Sequence, residues 1–97
     1  MIYIVSKYSD DIDKEINIGV FTEESKAFIW AWLQAFQYCC QCYVEVWNLE
    51  SNNLHKKIMI DFINLEQSYV SEILIDLIKS LEKNSFPDKL KEFMIEE

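Results

Sequence analysis

The chain has 97 residues, of which 51% are hydrophobic, so it is long enough for one domain (residues 1–97) whose core forms without disulfide bonds. Seventeen acidic residues oppose nine lysines and no arginine, which gives a net charge of −8. Direct binding to nucleic acid is therefore disfavoured, because the chain repels phosphates and lacks the bidentate donor that arginine supplies.

Two strands open the chain. Residues 2–8 alternate in polarity and are rich in β-branched and aromatic side chains, and residues 16–21 place Ile16, Ile18 and Val20 on one face. Because only a short charged segment separates the two runs, we expect them to pair as a hairpin.

A helix and a third strand follow. Thr22 is expected to cap a helix that continues to Gln37, with acidic residues in its first turn, where the helix dipole favours negative charge. Residues 40–47 then alternate again, with Cys42 and Val44 on an apolar face, which predicts the third strand.

The second half of the chain predicts a fourth strand and two helices. Alternation over residues 57–63 favours a strand, although a helix stays the alternative for so short a run. Asn64 and Gln67 resemble a capping box that opens a long amphipathic helix, which ends at residues 84–87, and a short helix around Leu90 follows. The order ββαββαα predicts an α+β fold, a small antiparallel sheet with helices packed on it.

The step Gly19-Val20-Phe21-Thr22, followed by Lys26-Ala27, resembles a group of small bacterial and phage proteins. They share a ββαβ core and a G-V-F-[ST]-x-x-x-K-A step from strand to helix, and the resemblance covers the first half of the chain. It implies a fold and no activity. By size and acidity, the chain is also similar to phage-encoded inhibitors of host defence such as anti-CRISPR proteins.

Residue types that bind metals or catalyse reactions are present without the spacing that such sites need. Asp11-x-Asp13-x-Glu15 lacks the central glycine and distal glutamate of a calcium loop, and Cys39, Cys40 and Cys42 do not form the paired ligands of a zinc site. His55 is expected in a turn, without a nucleophile partner. We expect no enzyme, no cofactor and no metal, with a metal- or thiol-dependent protein as the remaining alternative.

The predicted location is the cytoplasm. The apolar run at Met1–Lys7 is too short for a signal peptide, and no stretch approaches the roughly 18 apolar residues of a membrane span. Three closely spaced cysteines do not form the disulfide framework of a secreted domain.

Exposed apolar residues are the best candidates for a binding surface. On the first helix, Trp30 and Gln34 share the polar stripe, and Ile75 interrupts the polar side of the long helix. Tyr43 and Trp47 point to the sheet face opposite Cys42. If helices cover only one face, these two aromatics, with Tyr3 or Phe21, form an exposed patch or a dimer contact; burial of Trp30 and of this patch in the core is the alternative.

Acidity and exposed aromatics together predict a small non-enzymatic inhibitor or adaptor that binds a protein with a basic surface. In the narrowest form of this prediction, the bound partner is a nucleic-acid-handling effector. An immunity protein or antitoxin is the alternative, and a homodimer is a further one. The residues expected to contact the partner are Asp10, Asp11, Asp13, Glu15, Glu23, Glu24, Trp30, Gln34 and Ile75.

Overall fold

The computed structural model describes residues 1–83 and 85–97, which form one antiparallel sheet in the order β2-β1-β3-β4-β5 and a layer of helices. The elements are β1 (Ile2–Ser9), β2 (Lys14–Phe21), α1 (Glu24–Tyr38), β3 (Gln41–Asn48), β4 (Asn53–Asp61), α2 (Gln67–Lys83), a 3₁₀ helix (Asp88–Phe93) and β5 (Met94–Glu96). The prediction of a small α+β fold with helices on an antiparallel sheet is confirmed.

The helices cover one face of the sheet, and the hydrophobic core lies between the two layers. Helix α1 crosses β1 and β3, and α2 packs against α1. The register places Val5, Val44 and Ile58 side by side on the covered face. Thirteen buried residues form this core: Val5, Ala27, Phe28, Ala31, Trp32, Ala35, Cys42, Val44, Ile58, Ile60, Ile73, Leu77 and Leu90.

Residues 57–61 of the segment 57–63 belong to a strand and its last two residues follow the strand, so the helical alternative is wrong. Strand β4 begins earlier than expected, at Asn53, and ends at Asp61. Its buried residues, Ile58 and Ile60, lie opposite Val44 and Cys42 of β3, so backbone pairing and burial agree on the strand.

Both helix starts differ from prediction. Helix α1 has Glu23 as its N-cap instead of Thr22, and no side chain bonds to the free amides there. Helix α2 begins at Gln67, because the Asn64 amide donates to the Asp61 carboxylate at 2.5 Å instead of capping the helix. The contact of Asn64 with Asp61 in the preceding turn therefore removes the predicted cap of α2.

The last ten residues contain an element that the sequence pattern does not indicate. The predicted short helix is the 3₁₀ helix, with Leu90 buried, and after it β5 pairs with β4 through Ile95 and Met59. Of the predicted break at 84–87, Asn84 lies outside the described residues. Among the residues that the structure describes, no helix is both long and apolar enough to span a membrane.

Candidate partner-binding surface

Among residues 1–83 and 85–97, no helix packs on one face of the sheet. Side chains alternate along a strand, so Tyr43, Glu45 and Trp47 lie opposite the buried Cys42, Val44 and Val46. The cross-strand partners of Tyr43 and Glu45 on β4 are Met59 and Lys57. We call this surface the open sheet face and define it by Glu15, Tyr43, Glu45, Trp47, Lys57, Met59, Asp61 and Glu97.

The prediction for the aromatic residues is correct in one part and wrong in the other. Tyr43 and Trp47 lie half-buried on the open sheet face, as the alternation indicates. Tyr3 is the cross-strand partner of both Phe21 and the buried Val46, so it lies on the covered face of the sheet. Both aromatic rings pack against the core and do not join the open sheet face.

The open sheet face places three acidic residues around one ammonium group, that of Lys57. Lys57 Nζ donates to Glu15 Oε2 at 2.8 Å, and Ser6 Oγ donates to the other oxygen, Glu15 Oε1, at 3.2 Å. Glu45 lies directly opposite Lys57 in the β3–β4 pair. The backbone N–H of Glu97 donates to the carbonyl of Lys57 at 2.8 Å, which brings a third acid to this group.

The titration of Tyr43 and Lys57 reflects these neighbours. Burial raises the pKa of Tyr43, and the charges of Glu15, Glu97 and Asp61 raise it further, with Lys57 opposing them. Burial lowers the pKa of Lys57, but the hydrogen bond that Lys57 donates to Glu15 and the charges of the nearby acids outweigh it, so this pKa lies above its ordinary value. The potential at this surface is therefore negative despite the lysine.

The predicted acids of the β1–β2 hairpin extend the open sheet face at one end. Asp10, Asp11 and Asp13 are all exposed, and Glu15 follows them at the start of β2. The Tyr8 hydroxyl donates to the Asp13 carboxylate, which holds the turn where Asp13 has a positive φ of 53°. Four predicted residues are thus brought together.

The other two predicted acids lie elsewhere. Glu23 and Glu24 begin α1, past the opposite end of the eight-residue β2, roughly 25 Å from the hairpin by strand geometry. Each is close to a lysine, Glu23 to Lys26 at 3.5 Å and Glu24 to Lys91 at 3.6 Å. The six predicted acids therefore lie at two separate places, the hairpin and the start of α1.

Trp30 and Gln34 differ in exposure although they share a helix stripe. Trp30 is 37% exposed, and its Nε1 donates to the Ile18 carbonyl at 3.2 Å. Gln34 is only 9% exposed, so the expectation that it lies on an exposed surface is wrong. Trp30 is therefore anchored to β2 at one edge and open at the other.

Ile75 is 53% exposed on α2, as predicted, and it has exposed apolar neighbours. Leu74, Ile78 and Leu81 of the same helix are each at least 42% exposed, although the helical periodicity indicated that they face the core. Leu81 also lines a groove of about 320 Å³ with Trp30 and Leu33. We call Trp30, Leu33, Leu74, Ile75, Ile78 and Leu81 the apolar patch.

The cysteines and His55 do not converge. Cys39 is exposed at the end of α1, Cys40 is half-buried and Cys42 is buried, with Cys40 Sγ and Cys42 Sγ 3.9 Å apart. His55 lies exposed in β4 and not in a turn, so that expectation is wrong. Within residues 1–83 and 85–97, no three His, Cys, Asp or Glu side chains are grouped to hold a metal ion.

The sequence reasoning missed Glu45, Asp61 and Glu97. Glu45 and Asp61 alternate with the apolar residues of β3 and β4, and this alternation could have placed them beside Tyr43. Glu97 had no such pattern, because its position depends on the pairing of β5 with β4. No family model, curated protein or solved structure matches the chain.

Proposed function

We propose that the protein is a non-enzymatic binding module that receives a basic surface of another protein on its open sheet face and the adjoining hairpin. The observation that carries this proposal is the group of Glu15, Glu45 and Glu97 around Lys57, with Asp61 beside Tyr43, on a sheet face that no helix among the described residues covers. Asp10, Asp11 and Asp13 continue the same negative surface at the hairpin.

The proposed contact combines steering with anchoring. A surface of one charge sign attracts an oppositely charged partner over a Debye length and raises the association rate. Tyr43 and Trp47 supply flat, half-buried rings, and aromatic side chains of this kind contribute much of the binding energy at protein interfaces. A basic partner therefore gains both long-range attraction and apolar contact.

In its narrower form, the proposal is that the module inhibits a nucleic-acid-handling protein, as an anti-defence protein would. Carboxylates at the hairpin and on the open sheet face would occupy sites that otherwise bind phosphates. The net charge of −8 and the absence of arginine support a mimic of nucleic acid over a ligand of it.

Two charge-matched double variants test the location of this surface. Glu45→Gln with Asp61→Asn removes two charges from the open sheet face, and Glu66→Gln with Glu92→Gln removes two from exposed positions in the helical layer. Each is used, beside the wild type, to capture proteins from a lysate. The captured protein is then purified, and its affinity for each variant is measured by calorimetry.

We expect one basic protein to bind the wild type and the helical-layer variant equally, and the open-face variant at least about 10-fold more weakly. Equal affinity for both double variants would contradict the proposed surface, and capture of no protein would contradict the binding function. If the partner is a nucleic-acid-handling protein, as the narrower proposal states, we expect added nucleic acid to compete with the module and displace it from that partner.

A further inference from the structure

The apolar patch on the helical layer has no covering element among the described residues. Leu74, Ile78 and Leu81 are spaced four and three residues apart, so they line one side of α2, and Ile75 adjoins Ile78 three positions away. Trp30 and Leu33 of α1 form the opposite wall of the groove at Leu81. The patch is thus continuous across both helices.

The patch is large for a monomer of this size. Its exposed side chains keep between 37% and 54% of their accessible area. Together they present roughly 500 Å² of apolar surface, near the upper end of what soluble monomers show. Two such patches in contact would bury about 1,000 Å², the size at which specific association begins.

The charges beside the patch favour a second copy of the chain as its occupant. Lys26 lines the groove on α1, and Glu82 follows Leu81 on α2, four positions from Ile78. The two charges are opposite in sign. In a two-fold dimer, Lys26 of each copy can therefore face Glu82 of the other copy. The open sheet face has no such balance, because its acids outnumber its single lysine.

We propose that two copies of the chain associate through the apolar patch, with their α2 helices packed against each other about a two-fold axis. Ile78 lies at the centre of the contact, since it adjoins Leu74, Ile75 and Leu81 on the helix surface. Leu81 of each copy borders the groove beside Trp30. The open sheet faces point away from this contact, so the dimer presents two of them.

The test is the solution mass of the wild type, Ile78→Glu and Ser68→Glu by sedimentation equilibrium over a range of concentrations. Both substitutions add one negative charge to an exposed position of α2, but Ser68 lies on the polar side of the helix. Far-UV circular dichroism and thermal unfolding establish that each variant is folded.

We expect the wild type and Ser68→Glu to approach twice the monomer mass of 11.6 kDa, and Ile78→Glu to dissociate at least about 100-fold more readily. A wild type that stays at the monomer mass at every concentration would overturn the proposal. So would a dimer that Ile78→Glu, folded, leaves unchanged, or an assembly that grows past two copies.

Discussion

Gly19 is the single glycine of the chain, and its missing side chain makes room for Trp30. A Cβ atom at this position would lie 2.8 Å from Phe21 Cε2 and 3.1 Å from Trp30 Nε1. The same Nε1 donates to the carbonyl of Ile18, next to the glycine. The close approach of the indole to β2 therefore depends on Gly19, for reasons of space and not of backbone conformation.

We predict that Gly19→Ala lowers the free energy of unfolding by about 1–2 kcal/mol, because the Phe21 and Trp30 rings must move away from the added methyl group. Asn17→Ala, at an exposed position of the same strand, serves as the control and should change stability by less than about 0.5 kcal/mol. Urea unfolding measures both. An unchanged midpoint for Gly19→Ala would show that the rings adjust without cost.

At the scale of elements, the alternation of apolar residues was wrong about the face of β2: it put Val20 beside Ile16 and Ile18, but the register shifts between Val5 and Ser6, so that Val20 pairs with Ile4 and is 63% exposed. The alternation nevertheless predicted the first four strands and the covered face of β3. It could do so because the period of two is visible wherever one face is buried, as in Cys42, Val44 and Val46. Strand β5 was not predicted, since three residues are too few to show a period and its pairing with β4 depends on the 3₁₀ helix before it.

The amphipathic pattern of α2 predicted its existence but overstated its burial. Ile73 and Leu77 are buried, whereas Leu74, Ile78 and Leu81 are exposed, because α1 is the only long neighbour of α2 among the described residues. Helical periodicity identifies an apolar side and gives no information on how much of it a neighbour covers. A pattern within one element likewise does not show which elements lie side by side. The hairpin acids were therefore predicted, but the acids on β3, β4 and after β5 that continue this surface were not.

The ion pair between Glu15 and Lys57 joins β2 to β4 across two intervening strands and leads to a prediction for alkaline pH. The pKa values of Lys57 and Tyr43 both lie above their ordinary values, so the folded state binds more protons there than the unfolded chain. The resulting stability is complete below about pH 10 and is lost as the pH rises through the folded pKa values.

We expect the melting temperature of the wild type to fall more steeply above about pH 10 than that of Glu15→Gln, which lacks the charge that raises both pKa values. Glu66→Gln, an exposed change outside this group, should follow the wild type. Thermal unfolding at a series of pH values gives the comparison. Parallel curves for all three proteins would mean that the ion pair adds nothing to folding.

At the scale of the whole molecule, the two proposed surfaces belong to opposite layers and differ in charge. The open sheet face is acidic, whereas charges of both signs, Lys26, Lys79 and Glu82 among them, border the apolar patch. Salt should therefore separate them, since raising it from about 0.1 M to about 1 M shortens the screening length from about 10 Å to about 3 Å.

We predict that this increase in salt weakens binding of the basic partner by about 10-fold or more and leaves self-association equal or stronger, because it also screens the repulsion between two chains of net charge −8. Calorimetry measures the first response and sedimentation the second. If both associations weaken together, they do not use surfaces of different charge.

The three tryptophans lie in three different surroundings. Trp32 is 1% exposed in the core, Trp30 borders the groove of the apolar patch, and Trp47 lies on the open sheet face. In a variant that keeps one tryptophan and has phenylalanine in place of the other two, the indole fluorescence therefore comes from one of these three sites. The emission of Trp32 then follows folding, that of Trp30 follows pairing of two chains, and that of Trp47 follows arrival of the basic partner, without any attached dye.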